Sequence, residues 1–329
     1  MGYDIIGDIH GCAEALEVLL TKLGYQKTAG TWRHPDRTAV FVGDFIDRGP
    51  EQVRSVQTVR RMLDAGTALA VMGNHELNAI AWHTPDPRKK NEKETETEFL
   101  RPHHSPKWGV KNRQQHAAFL AEVEDKPALH REIIDWFLTL PLWLDLPELR
   151  VVHACWHGPF MTWLSPRIHD GRFLTRELMV AATDEPESQS EKDNGVPSVF
   201  KAVEALTKGI EIPLPAGHSF CDKDGFSRRR VRIRWWDSEA KTYSSAAMLS
   251  GTQIVPLPHT PVPEYALIPA SEKPVFFGHY WLTGTPSIQS DSAVCVDYSV
   301  AKSGSLVAYR FSGEKKLLTQ NFVSVPSMC

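Results

Sequence analysis

Gly43-Asp44-Phe45-Ile46-Asp47-Arg48-Gly49 follows directly on the apolar run Ala39 to Val42. Two carboxylates and an arginine between glycines make a polar turn at the end of what reads as a buried strand. The arrangement recurs along the chain. Tyr3 to Ile6 leads into Gly7-Asp8-Ile9-His10-Gly11, Ala68 to Met72 into Gly73-Asn74-His75-Glu76, Leu149 to Val152 into His153, and Val275 to Phe277 into Gly278-His279. Between the first two runs, Leu16, Leu19, Leu20 and Leu23 fall at helical spacing over Ala13 to Leu23, with Gly24 as a stop. Glu51 to Ala65 is helical in pattern, entered by Pro50 and ended by Gly66. Strand, helix, strand, helix, strand predicts an α/β sheet, and open α/β sheets hold ligands beyond the carboxyl ends of their strands. The polar turns sit at those ends.

The 329 residues can bury a substantial core as one large domain or two smaller ones. With 23% charged residues and 42% in the AVILMFWYC set, the composition is that of an ordinary folded chain. A net charge of -3 gives no general attraction to nucleic acid or anionic membranes, so neither is expected as a partner. Cys12, Cys155, Cys221, Cys295 and Cys329 are scattered and lack a CxxC pair, so neither a disulfide framework nor a zinc knuckle is indicated. No apolar stretch approaches the ~20 residues of a membrane span. Met1-Gly2-Tyr3-Asp4-Ile5 lacks the basic and apolar regions of a signal peptide, and Gly7 stands where a myristoylation motif favours Ser or Thr. A reducing cytoplasm is the expected compartment.

Singly, each polar turn has an ordinary structural reading, as a helix cap or a strand-end core histidine. In order, Asp-x-His, Gly-Asp-x-x-Asp-Arg-Gly, Gly-Asn-His-Glu, a strand-end His and Gly-His ask for a common cause. The set resembles the calcineurin-like metallophosphoesterases, specifically the phosphoprotein-phosphatase branch, which includes protein serine/threonine phosphatases and symmetrical diadenosine tetraphosphate hydrolases. The resemblance runs from Asp8 to His279, with Val294-Cys295-Val296-Asp297 as a further match. It implies an α/β fold of two packed mixed β-sheets flanked by helices, two divalent metal ions, and hydrolysis of a phosphate ester by a metal-bridging hydroxide. On the same resemblance Asp8 and His10 would hold the first ion, Asn74, His153 and His279 the second, and Asp44 would bridge both. Arg48 and Asn74 would bind the substrate phosphate, the arginine through its planar fork. His75 would protonate the leaving oxygen, with Asp47 orienting its imidazole. Mixed carboxylate, imidazole and amide ligands suit Mn²⁺, the first choice here, and also Fe²⁺ or Zn²⁺.

Rival residues remain at three points. His157 lies close behind His153, but His153 directly follows its strand and matches the family's Val-His-Ala; His157 then either lines the pocket or hydrogen-bonds within its loop. His218 rivals His279 but follows a proline-rich run rather than a strand. Arg167 and Arg172 lie where many relatives place a second phosphate-gripping arginine. Other phosphoryl chemistries are excluded more firmly. A cysteine-nucleophile phosphatase needs an arginine six residues after the cysteine, where Val18, Met161, Ser227 and Ala301 stand instead. Neither a Gly-x-x-x-x-Gly-Lys-Ser/Thr loop nor a Gly-x-Ser-x-Gly elbow is present.

Residues 1–329 read as a single domain carrying an insertion at approximately 165–270, folded beside the site as a cap. Within it Val199 to Thr207 is helical in pattern and Asp184 to Ser198 reads as an exposed loop. Arg228 to Trp236 alternates as a strand with Arg230, Arg232 and Arg234 on one face, a solvent-facing edge in preference to a polyanion-binding surface. Arg88 to Glu98 is a mixed charge run of solvated character. The first expectation for function is a serine/threonine-type phosphoprotein phosphatase, acting on a phosphorylated protein or a small phosphoester. The alternative is a symmetrical dinucleoside tetraphosphate (diadenosine tetraphosphate) hydrolase, with Trp82, Trp156 or Trp163 as candidates to stack on a base. A metal-binding scaffold without turnover comes last, because every motif residue is in place.

Overall fold

The computed structural model describes residues 2–89, 98–221, 227–249 and 255–329; of the charged run 88–98, residues 90–97 lie outside them. β1 (Gly2–Ile6), β2 (Arg37–Phe41) and β3 (Ala68–Ala70) run parallel, joined by α1 (Ala13–Lys22) and α2 (Gln52–Asp64), and α3 (Asn74–His83) follows β3. In a second sheet β4 (Trp143–Asp145) pairs antiparallel with β5 (Arg150–Val152), which lies parallel to β6 (Val275–Phe277), itself parallel to β7 (Ala293–Cys295). The chain then returns to the first sheet through β8 (Asp297–Tyr298), β9 (Ser305–Phe311) and β10 (Phe322–Pro326), with β9 antiparallel to β1. Both sheets are mixed, as the resemblance implied.

Successive strand residues point to opposite faces, and here both faces are covered. Ile5 and Val40 of the first sheet meet Val151, Phe276 and Val294 of the second in the core between the sheets. Ile6, Ala39 and Phe41 belong to the other core, with Leu16, Leu19, Val56 and Val59 of the helices. That is why the strand runs are continuously apolar rather than alternating.

A polar cluster lies within the first sheet. Asp4 is fully buried in β1, and its carboxylate accepts from Arg37 Nε at 3.0 Å and from Arg310 Nε at 3.1 Å. Arg37 also donates to the carbonyls of Tyr3 at 2.6 Å and Phe311 at 2.8 Å. Arg37→Met strips the carboxylate of its better partner, so the expected loss in unfolding free energy is about 3 kcal/mol. Urea denaturation measures it. Asp4→Asn added to Arg37→Met should restore part of the loss; an effect below about 1 kcal/mol for the single variant would mean that solvent reaches Asp4.

The segment between β5 and β6 departs from its expected form. Arg228 to Trp236 is not one strand: Ser227–Arg228 pairs with Phe220–Cys221, Arg230–Arg232 pairs with Glu211–Pro213, and the chain turns at 234–237. Arg230 meets Asp193, and Arg232 lies 3.7 Å from Glu211, so these arginines are paired rather than ranged on a free cationic face. Residues 184–198 contain a short helix, Gln189–Asp193, whose Glu191 N–H donates to Ser188 Oγ at 3.1 Å. The helix expected at 199–207 is present as Val199–Lys208. Cys12 and Cys329 form a disulfide with Cα atoms 5.4 Å apart, a pairing across 317 residues that the scattered spacing did not suggest. Among the described residues no helix is long and apolar enough to cross a membrane.

Candidate active site

Loops leaving β1, β2, β5 and β6, together with the first turn of α3, converge at one edge of the two sheets. They carry Asp8 and His10; Asp44, Asp47 and Arg48; His153; His279; and Asn74, His75 and Glu76. All of these side chains are at most 7% exposed except Arg48, which is exposed and lies 4.2 Å from the Trp281 ring. Tight reversals bring them together. His10, Asp44, Asp47, Arg48 and His279 adopt φ of +48°, +54°, +71°, +82° and +72°, the left-handed region that side-chain-bearing residues occupy at a cost. Gly43, at φ +100°, approaches the chain at Gly73 so closely that a Cβ would lie 2.5 Å from Gly73 N. Glu76, fully buried, fastens the two loops: it accepts from the backbone N–H groups of Asp44 (2.8 Å), Phe45 (2.8 Å) and Gly73 (2.9 Å).

The histidines are oriented through their outer nitrogens. His10 Nδ1–H donates to the Ile46 carbonyl at 3.0 Å and His153 Nδ1–H to the Val42 carbonyl at 2.7 Å, which leaves each Nε2 as a lone pair. Those nitrogens lie 3.7 Å and 3.3 Å from Asp44 Oδ2. Asn74 Oδ1 is 3.2 Å from His153 Nε2 and 2.7 Å from His279 Nδ1, and the His279 N–H donates to Asp8 Oδ2 at 3.0 Å. Asp8 Oδ1, His10 Nε2 and His279 Nε2 are buried with no protein partner. Ligand atoms of His10, Asp44 and His75 lie within 4.8 Å of one another, as do those of Asp44, His153 and His279, so two groups share Asp44.

Charge points the same way. Burial, then Asp297 and Asp44, pushes the Asp8 carboxyl well above its ordinary range. Burial pushes His10 down to about 3, leaving it a neutral donor, and drives His279 down as well. At Asp44 burial works upward but is outweighed by His153 and His75, which hold it ionised. Buried carboxyl groups, two imidazoles (His10 and His279) held neutral, and orphaned ligand atoms form a cluster short of positive charge. Divalent cations fit it.

His75 Nδ1 lies 2.5 Å from Asp47 Oδ2, so its Nδ1 is already engaged and Asp8 offers the freer oxygen to a first ion. Burial lowers the His75 pKa, but Asp44 and Asp47 outweigh it and the net shift is upward. The other Asp47 oxygen accepts from His116 Nδ1 at 2.7 Å. His116 is buried ahead of the helix Ala117–Val123. Nothing in its sequence neighbourhood marks it, since its partner is 69 residues away and no strand leads into it. Arg101 and Lys208 are the other residues that sequence reading missed; with Arg48, Asn74 and His75 they line a cleft of about 250 Å³.

The rival residues find other employment. His157 Nδ1 accepts from the Phe160 N–H at 3.1 Å and its Nε2 donates to the Tyr265 carbonyl at 2.9 Å, so it is a bonded loop residue. His218 is half-buried and sits against its own loop, 3.3 Å from the Ala216 carbonyl. Arg167 lies on the Trp163 ring and Arg172 on Phe173, and neither lines the cleft. Trp82 stacks on His103, and Trp156 meets Arg150. The tryptophan beside the candidate ligand cluster is Trp281, 5.2 Å from the His10 ring.

The family model for calcineurin-like phosphoesterase matches residues 1–199. The asymmetrical bis(5'-nucleosyl)-tetraphosphatase PrpE of Oceanobacillus iheyensis is 49% identical over 76 residues, 23% of this chain and 30% of its own length. Its counterpart from Halalkalibacterium halodurans is 47% identical over 76 residues, 23% of this chain and 31% of its own. The chain thus spans about a third of the length of these curated relatives. Among solved structures, a protein serine/threonine phosphatase from Saccharomyces cerevisiae with similarity to human phosphatase PP5 is 14% identical, with a TM-score of 0.48 over all of this chain and 80% of that one. A cold-active protein-tyrosine phosphatase of a psychrophilic Shewanella species is 17% identical, with a TM-score of 0.47 over 99% of this chain and 80% of that one. With its family model matched across more than half its length, the chain belongs to the calcineurin-like phosphoesterases.

Proposed function

We propose that this chain hydrolyses phosphate esters at a site built on two divalent cations, with Asp8, His10 and Asp44 holding one and Asp44, Asn74, His153 and His279 the other. The observation that carries the reading is the gathering of six buried ligand side chains, three of them with orphaned atoms, beside the His75–Asp47 pair. Paired cations at such a site supply a nucleophile deprotonated near neutral pH and neutralise the phosphoryl oxygens. Arg48 and Asn74 orient the phosphate, the exposed guanidinium reaching it from the cleft mouth. His75 delivers a proton to the leaving oxygen, and Asp47 keeps its Nδ1 protonated so that Nε2 faces the substrate.

Mn²⁺ is the first ion to test, followed by Fe²⁺ and Zn²⁺. Residues 165–270 act as the cap, since Lys208 reaches the cleft from within them. A serine/threonine phosphoprotein is one substrate reading. Dinucleoside tetraphosphate is the other, favoured by what the relatives sharing the motif region are named for. Chelation should abolish release of phosphate from p-nitrophenyl phosphate, and Mn²⁺ should restore it. Mn²⁺ at about 100 times its Kd should also stabilise the chelator-treated protein by about 2.7 kcal/mol, read as a rise in Tm. Turnover that survives exhaustive chelation would reject the proposal. Parallel assays of phosphopeptides and diadenosine tetraphosphate separate the two substrates.

A further inference from the structure

Arg48 is the exposed member of the site, and among the described residues nothing hydrogen-bonds its guanidinium. A long side chain in that position gives up rotamer freedom whenever it closes on a ligand. What it does touch is the Trp281 indole, whose ring centroid lies 4.2 Å from Arg48 Cζ, well within cation–π range. The kind of partner matters. A carboxylate would occupy the donors along the edge of the guanidinium, the edge that suits phosphoryl oxygens. An aromatic ring holds the cation through its π cloud and needs none of those in-plane donors.

Trp281 is itself held in place. Its backbone takes φ +53°, a left-handed conformation that is costly for a bulky residue. Its N–H donates to Oδ2 of the buried Asp297 at 2.6 Å, and Asp297 Oδ1 accepts from the Ser299 N–H at 3.0 Å. The Leu282 N–H donates to the Asp297 carbonyl at 3.1 Å. The turn after His279 is thus tied to β8, with the indole in reach of both Arg48 and the His10 ring. Lys302 Nζ also lies over the indole, 4.0 Å from its centroid. Two cations on one ring favour a positioning role over stacking on a substrate's own aromatic group. We propose that Trp281 is a positioning residue for Arg48: the indole holds the guanidinium beside the ligand cluster with its N–H edge free for the phosphoryl oxygens, and so raises affinity for phosphate by pre-organisation. This rests on the reading of Arg48 as a phosphate ligand given above and adds the side chain through which it is oriented.

The test is a double-mutant cycle on the full chain loaded with Mn²⁺. Trp281→Ala should lower kcat/KM for p-nitrophenyl phosphate about tenfold, and weaken orthophosphate by a similar factor in calorimetric titration. Trp281→Phe should keep most of both, because it retains a ring. With Arg48→Met already made, Trp281→Ala should change either quantity by less than about twofold. Equal losses with and without the arginine would overturn the proposal, as would a Trp281→Ala protein that matches the parent in both measurements. A parallel loss of Mn²⁺ affinity in Trp281→Ala would also overturn it, placing the ring's effect at His10 instead. Wild-type protein inert toward p-nitrophenyl phosphate would defeat the hydrolytic reading, and the orthophosphate cycle would still decide whether Trp281 works through Arg48.

Discussion

Asp44→Asn is expected to lower kcat/KM by about three orders of magnitude or more, because on the proposed reading one shared carboxylate would serve both cation positions. Asp44 Oδ2 has His153 Nε2 at 3.3 Å, His10 Nε2 at 3.7 Å and His75 Nε2 at 3.9 Å, while Oδ1 accepts the His75 backbone N–H at 2.9 Å. Asparagine preserves the size and can keep the Oδ1 contact, but it removes the negative charge that lets two cations approach one another. The fold should survive, since Glu76 holds the Asp44 backbone through its N–H and not through the side chain. A variant that binds both ions, melts like the parent and keeps more than about a tenth of its kcat/KM would refute the bridging role.

His75→Asn should produce a loss that depends on the leaving group. General-acid assistance contributes about 10²–10⁴-fold where the departing oxygen is strongly basic. Alkyl phosphates and phosphoserine peptides should therefore lose about that much, and p-nitrophenyl phosphate at least about tenfold less, since its oxygen departs with little protonation. Asp47→Asn should follow the same pattern more weakly, because His116 and His75 both hydrogen-bond the Asp47 carboxylate and part of the arrangement survives. Rates for a series of aryl phosphates of graded leaving-group acidity provide the measurement. A uniform drop across the series would assign His75 to positioning rather than proton transfer.

What was legible in the sequence was the set of features in which one short segment carries its own signal. β1, β2, β3, β5 and β6 are apolar runs ended by polar turns, and α1 and α2 have helical spacing with glycine stops, so their positions came within a residue or two. The residues at those strand ends were legible for the same reason. Features that depend on a distant partner were not. Alternation in Arg228 to Trp236 suggested one strand, but alternation does not say what pairs with it, and two separate hairpin partners divide the stretch. His157 and His153 look equivalent as letters; the difference is that His157 spends both ring nitrogens on Phe160 and Tyr265. His116, Arg101 and Lys208 come from helices and connections with no strand-end signature, and only packing brings them to the cleft. The Cys12–Cys329 bridge joins opposite ends of the chain, beyond the reach of spacing rules.

The reversed backbone at His10, Asp44, Asp47, Arg48 and His279 has an evolutionary corollary. Each such residue costs about 1–3 kcal/mol against a relaxed chain, and glycine would remove much of that burden while carrying no donor atom. A lineage released from selection for turnover would therefore drift toward glycine at these sites and become sturdier as it fell silent.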